Sequence, residues 1–204
     1  MTRQTEKEKG IRKKAQGKRD KAGAGSIAAL SVMLCALSLA TVASRSQQIS
    51  PQSSPVVVLE TVKGVIEFET YPEEAPKTVA HIVALVKRGF YNGLRFHRVE
   101  KNSLIQIGDP KSRDMSLQEW WGRFGSGKTI GVAEISTKRT HVRGAVAMAH
   151  TGSAKEADSQ FYIMLRPAPE LNGKHVVFGR VIKGLDVAAK IQKADMLRKA
   201  SVRQ

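Results

Sequence analysis

Phe96-His97-Arg98-Val99 and, a short step on, Leu104-Ile105-Gln106-Ile107-Gly108-Asp109 form the stretch on which the reading of this chain turns. Both segments read as short strands. Alternation along a strand predicts Phe96 and Arg98 on one side and His97 and Val99 on the other. The second strand then brings Gln106 near Arg98. A cation among apolar neighbours is costly unless it is paired or used. Two readings follow. Arg98 is either a functional donor beside Gln106 or a rim cation whose stem lies on apolar surface with its head in water.

Working outward, Val56–Thr61 and Val65–Thr70 flank Lys63-Gly64 as a hairpin. Pro76 stands near the start of a stretch in which Val79, Ile82, Val83 and Val86 recur at helical spacing, and Gly89 after Lys87 and Arg88 is a stop signal. The pattern predicts further strands at Leu94–Val99, Leu104–Ile107, Ala145–His150, Phe161–Leu165 and Val176–Val181. A second helix is predicted from Leu185 or Asp186 to Lys193. Many short strands with two helices suggest a closed barrel capped by helices, and nothing repeats internally.

The Phe-His-Arg-Val segment leading into Gln106-Ile107-Gly108-Asp109 resembles the signature of the cyclophilins, which are peptidyl-prolyl cis-trans isomerases. Two further blocks agree in order: Met148-Ala149 leading to Ser159-Gln160-Phe161-Tyr162-Ile163, and Leu171-Asn172-Gly173-Lys174-His175-Val176-Val177-Phe178-Gly179. The resemblance runs from about Val56 to about Lys190. It implies a mainly β fold, a closed antiparallel eight-stranded barrel with an α-helix at each end and a peptide groove outside it. It also implies isomerisation of X-Pro bonds in client polypeptides by a monomer, with no metal and no cofactor. Arg98 would donate to the prolyl nitrogen, and Gln106 would orient Arg98 or hold the substrate backbone. Gln160 would bind backbone further along, while Leu104, Ala149, Tyr162, Leu171 and His175 would form or edge the proline pocket.

Three positions depart from the family. Ser103 stands where a pocket phenylalanine is usual, Tyr162 replaces another, and Glu170 occupies a tryptophan position. Tyr162 keeps the ring but adds a hydroxyl that needs a partner. Ser103 removes much of one apolar wall. Glu170 has no donor when ionised, so weak binding of cyclosporin-type cyclic peptides is expected. These departures support a rival reading, a membrane-tethered proline-peptide-binding or assembly module on an endomembrane with little catalysis.

Before the domain, residues 1–25 hold nine Lys/Arg against three acids, without apolar periodicity, which predicts a disordered basic arm. Residues 26–44 are uncharged and rich in Ile, Leu, Val and Ala, close to the ~20 apolar residues that span a bilayer. Three readings compete for this run besides a buried helix. A signal peptide could be cut near Thr41-Val42-Ala43. A mitochondrial presequence is disfavoured by the Lys-rich arm and its acids. A signal anchor suits the long basic flank and predicts a single-pass type II protein of the secretory pathway, in the Golgi or endoplasmic reticulum, with its domain lumenal. Residues 45–55 read as a linker, 56–196 as the domain and 197–204 as a tail.

The formal net charge of +16 invites a nucleic-acid reading. The basic arm has a simpler topogenic role, and no helix-turn-helix, zinc finger or aromatic-rich RNA motif accompanies it, so no nucleic acid is expected. Gly122-Arg123-Phe124-Gly125-Ser126-Gly127-Lys128-Thr129 fits the phosphate-loop pattern, but no buried strand precedes it and Ile130-Gly131-Val132 is poor helix material. Trp120 and Trp121, just before, either pack over that loop or mark a partner surface. A hydrolase reading lacks its Gly-x-Ser-x-Gly elbow. His81, His97, His141, His150 and His175 lack close metal-ligand spacing. The single cysteine, Cys35, excludes an internal disulfide in the domain.

Overall fold

Val56–Thr61 (β1) and Gly64–Thr70 (β2) form the expected hairpin, with Thr61 opposite Gly64. The structure, a computed structural model, describes residues 54–203. The expected arm (1–25), membrane span (26–44) and most of the linker (45–55) lie outside the described residues. Among the described residues no helix is long and apolar enough to cross a membrane.

Helix α1, Pro76–Lys87, follows the periodicity: Val79, Ile82, Leu85 and Val86 are buried. Ala75 cannot cap its amides, so Glu134 does so from a distant loop, accepting from Lys77 N at 3.0 Å and Thr78 N at 2.8 Å. Six further strands follow: β3 (Arg98–Glu100), β4 (Leu104–Ile107), β5 (Ala145–Met148), β6 (Phe161–Met164), β7 (Val177–Lys183) and β8 (Leu197–Arg203). Between β7 and β8 lies α2, Leu185–Ala188. The second helix thus stops well short of Lys193. Ala194, in the left-handed region at φ 73°, helps turn the chain back toward β1.

All eight strands form one curled antiparallel sheet in the order β3-β4-β6-β5-β7-β2-β1-β8. The closed barrel is therefore not formed, because β3 and β8 remain edges. A bridge between Arg95 and Met196, flanked by backbone hydrogen bonds between residues 93–96 and 194–197, links the chain just before each of them. Closure would require β3 to run back to Leu94, as the sequence pattern suggested. Strand pairing begins only at Arg98, with Phe96 and His97 buried just before it in irregular backbone. A second correction concerns the chain end: residues 197–203, expected as a tail, are β8, paired with β1 from Leu197 opposite Thr61 to Arg203 opposite Val56.

The central strands are buried on both faces. Ile105, Ile107, Val146, Met148, Phe161 and Ile163 join the main core with α1. Their alternates Leu104, Ala145, Ala147, Tyr162 and Met164 build a smaller cluster on the outer face, with Ala149 and Leu171 packed against it. That period of two gives the sheet a second, outer surface to work with.

Candidate active site

One row of side chains crosses four strands of the outer face. Register sets Arg98 opposite Gln106, Gln106 opposite Tyr162, and Tyr162 opposite Ala147. Beside this row lies a cavity of about 560 Å³. Arg98, Leu104, Gln106, Ala149, Gln160, Tyr162, Leu171 and His175 all line it, so every site residue expected from the sequence is brought to one place.

A directed chain of hydrogen bonds fixes the polar rim. Arg98 Nη1 donates to Gln106 Oε1 at 3.2 Å, and Gln106 Nε2 donates to Gln160 Oε1 at 2.9 Å. Gln160 Nε2 then donates to the carbonyls of Gly122 at 3.0 Å and Phe124 at 2.8 Å. Each amide is thereby held with its oxygen toward its donor. Arg98 also donates from Nε and Nη2 to Glu100 Oε1. Both side chains of that pair are about half exposed, 52% and 46%. The guanidinium is thus pinned on two sides while N–H groups remain unspent for a ligand.

The hydroxyl of Tyr162 has its partner in His141, whose Nε2 lies 2.9 Å away. Asn172 Oδ1 accepts from the His141 backbone N–H at 2.8 Å and faces His141 Nδ1 at 3.0 Å. The imidazole proton therefore sits on Nδ1, Nε2 is a lone pair, and Tyr162 is the donor. Burial pushes the Tyr162 phenol well up and the His141 imidazole down, the Asn172 bond working against the latter shift. His175 bonds Met148 O through Nδ1 at 3.2 Å, and its ring lies 4.3 Å from that of His150. Its pKa is lowered by burial first and then by His150.

The departures fall unevenly. Glu170 is exposed in the 3₁₀ turn Pro169–Leu171 that presents Leu171, and neither Glu170 nor Ser103 lines the cavity. Ser103 is a loop joint whose carbonyl accepts from Leu165 N at 2.7 Å. His97, expected on the face away from Arg98, lines the cavity instead, because it precedes the strand and does not share its alternation. Burial lowers its pKa, with the Asp109 carboxylate acting in opposition.

The phosphate-loop look-alike is a wall of this cavity. Its Gly122 and Phe124 amides donate to the fully buried Asp109 carboxylate at 2.6 and 3.2 Å, and Gly127 N donates to Asp158 at 3.0 Å. Three amides of the loop are thus committed to protein carboxylates, and no helix follows. A Cβ on Gly125 would stand 2.4 Å from Asp158 Oδ2, so that glycine is needed for close approach.

Sequence reasoning missed Glu100, His141, Asn172 and the Trp121–Gly125 wall. Glu100 was within reach, since residues two apart on a strand share a face. His141 gave no local signal, and Asn172, although within the block from Leu171 to Gly179, gave none of its bond to His141.

A family model described as cyclophilin type peptidyl-prolyl cis-trans isomerase/CLD matches residues 56–204. Peptidyl-prolyl cis-trans isomerase B of Bacillus subtilis is 42% identical over 137 residues, covering 67% of this chain and 90% of that protein. A probable peptidyl-prolyl cis-trans isomerase of Brucella abortus is 39% identical over 150 residues, 72% of this chain and 76% of its own. Among solved structures, a cyclophilin type peptidyl-prolyl cis-trans isomerase of Cryptosporidium parvum is similar at a TM-score of 0.65 and 26% identity, covering 74% of this chain and 98% of its own. A second structure of that protein, in the presence of the dipeptide Ala-Pro, gives a TM-score of 0.63 at 26% identity, covering 73% and 99%.

Proposed function

The chain belongs to the cyclophilin-type peptidyl-prolyl cis-trans isomerase family, and from that premise we propose that it rotates X-Pro bonds of client polypeptides in the cavity beside Arg98. The barrier is ~18–20 kcal/mol because resonance gives the amide C–N bond partial double-bond character. No nucleophile or cofactor is needed to lower it. In the twisted state the prolyl nitrogen regains its lone pair, and a guanidinium N–H directed at it makes a hydrogen bond that the planar amide cannot accept. Such a bond is differential transition-state binding.

The observation that carries this reading is the placement of Arg98 at the edge of the apolar pocket. Gln106 and Glu100 hold its guanidinium beside a cavity lined by Leu104, Tyr162 and Leu171. In the proposed complex the proline ring occupies that apolar part, with Ala149 and His175 at its edge, and Gln160 meets the substrate backbone. The structure of the Cryptosporidium parvum relative in the presence of Ala-Pro supports a proline-containing ligand.

Arg98→Ala should lower kcat/KM on a short Ala-Pro peptide by ~10² or more, the scale for one transition-state donor, while leaving the circular dichroism spectrum intact. A variant as active as the parent would make Arg98 a rim cation and sink the assignment. The membrane tether belongs to the same proposal: residues 26–44 anchor the chain with the domain on the lumenal side. Alkaline carbonate should then fail to extract it, and protease added to sealed vesicles should remove only the basic arm.

A further inference from the structure

Met115, Trp120 and Phe124 are among the large apolar side chains left exposed, at 48%, 46% and 39%. Phe124 lines the cavity, as do Trp121 and Arg123, and Trp120 and Met115 belong to the turn that leads into that wall. Cations cover the rings: Arg123 stands 4.8 Å from the Trp120 ring centroid and Lys111 Nζ 5.9 Å from that of Phe124. The ledge is rigid. Trp121 Nε1 donates to the carbonyls of Lys111 at 3.0 Å and Asp114 at 3.1 Å, and the buried Asp109 carboxylate holds the backbone behind it. Its two acids bond neutral donors within the ledge and keep their charge. Asp114 accepts from Ser116 N and Oγ, and Glu119 accepts from Trp120 Nε1.

We propose that this ledge, from Met115 to Phe124 with Lys111, is a second recognition surface for the client. It would take an acidic, aromatic-bearing stretch of the same polypeptide whose proline sits in the cavity. Two observations favour this occupant. The ledge is continuous with the cavity through Trp121, Arg123 and Phe124, so an extended chain leaving the pocket on the Gln160 side runs onto it. Its chemistry is aromatic faces with cations over them, which attracts carboxylates and apolar rings together. The proposal rests on the groove being the client site.

The chain's two tryptophans, Trp120 and Trp121, both lie on the ledge, so intrinsic fluorescence reports on it directly. The full chain in mild detergent is titrated with two Ala-Pro peptides of equal length, one flanked by Glu-Phe-Glu and one by Gln-Ala-Gln. The acidic peptide should bind about fivefold or more tightly and change the tryptophan emission. That preference should shrink toward unity in high salt and in Lys111→Glu, and Trp120→Ala should weaken it as well. Equal affinities with unchanged emission overturn the ledge proposal, even where a short Ala-Pro peptide is isomerised in an Arg98-dependent way. Failure to isomerise the short peptide sinks the catalytic reading instead, and the two affinities still decide the ledge. Quenching of the tryptophans by brominated anionic lipid in proteoliposomes, without peptide preference, would make the ledge a membrane face. A concentration-dependent dimer with shifted emission and no preference would make it a self-association face. Either outcome overturns the proposal.

Discussion

Replacing Tyr162 by phenylalanine supplies the residue that the family resemblance implies, yet it should destabilise this protein. Tyr162 is 3% exposed and His141 is 2% exposed, and each is the other's hydrogen-bond partner at 2.9 Å. Removing the hydroxyl leaves His141 Nε2 as a buried lone pair with no donor. An orphaned buried group costs ~1–3 kcal/mol. The deleted hydroxyl no longer has to be desolvated, which offsets part of that, so ~1–2 kcal/mol is the expected loss. For a domain of this size that is a fall in Tm of about 3–6 °C. The decisive comparison is the double variant Tyr162→Phe with His141→Leu. It removes both polar partners, and Asn172 Oδ1 keeps its bond from the backbone N–H of residue 141. The double variant should therefore cost less than the two single losses added together, by ~1 kcal/mol or more. Urea denaturation of the four proteins, followed by circular dichroism, gives the coupling. If Tyr162→Phe matches the parent and the losses add within ~0.3 kcal/mol, the tyrosine–imidazole bond contributes nothing and the reasoning is refuted.

Three further outcomes are expected. Glu100→Gln should lower kcat/KM by no more than about fivefold and leave stability within ~0.5 kcal/mol, since an exposed ion pair contributes ~0–1 kcal/mol. A rise in turnover would show that Glu100 restrains Arg98 rather than orienting it. Burial depresses the pKa values of His97, His141 and His175, so the unfolded chain binds more protons than the folded one below about pH 6.5. Their contribution is fully present above that pH and is lost as pH falls through the depressed folded values. Urea midpoints between pH 7.5 and 5 test the sign, and a rising midpoint on acidification would contradict it. Glu170→Trp should tighten cyclosporin-type macrocycles by about two decades while changing short-peptide turnover much less, because Glu170 is exposed outside the cavity in the turn that presents Leu171. Calorimetric affinities equal in parent and variant would place residue 170 off the binding surface.

What the sequence reveals here divides by distance along the chain. The hairpin of β1 and β2, helix α1 and the strands β4 and β6 are written in local periodicity, and their bounds follow it to within a residue or two. Strand β8 is not, because Leu197 and Ala200 are three apart with Arg198 and Lys199 between them, a spacing that mimics no strand. Its strand identity comes from β1, which offers an unpaired edge far away in sequence. The delayed start of β3 has a similar origin, since His97 turns against alternation to the cavity that Arg98 also lines, and Gly122 packs beside it. The eight cavity residues were legible through motif resemblance. The groups that hold them were not, because Asn172 reaches His141 and Gly122 reaches Asp109 across loops that sequence pattern does not join.

These supports change how the departures at the pocket should be weighed. A tyrosine in place of phenylalanine is costly taken singly, since it brings a buried hydroxyl with nothing to bond. Here it comes with His141, and His141 comes with Asn172, the residue next to Leu171. The hydroxyl thereby ties the β6 wall of the pocket to the turn that supplies its neighbouring wall. Arg98 has the same kind of support, with Glu100 on its own strand and Gln106 across from it. In both cases a side chain that reads as an anomaly in the sequence is one half of a bonded pair. Tyr162 and Arg98 are therefore each held by bonded partners, the preorganisation that the proposed stabilisation of a twisted amide by one guanidinium requires.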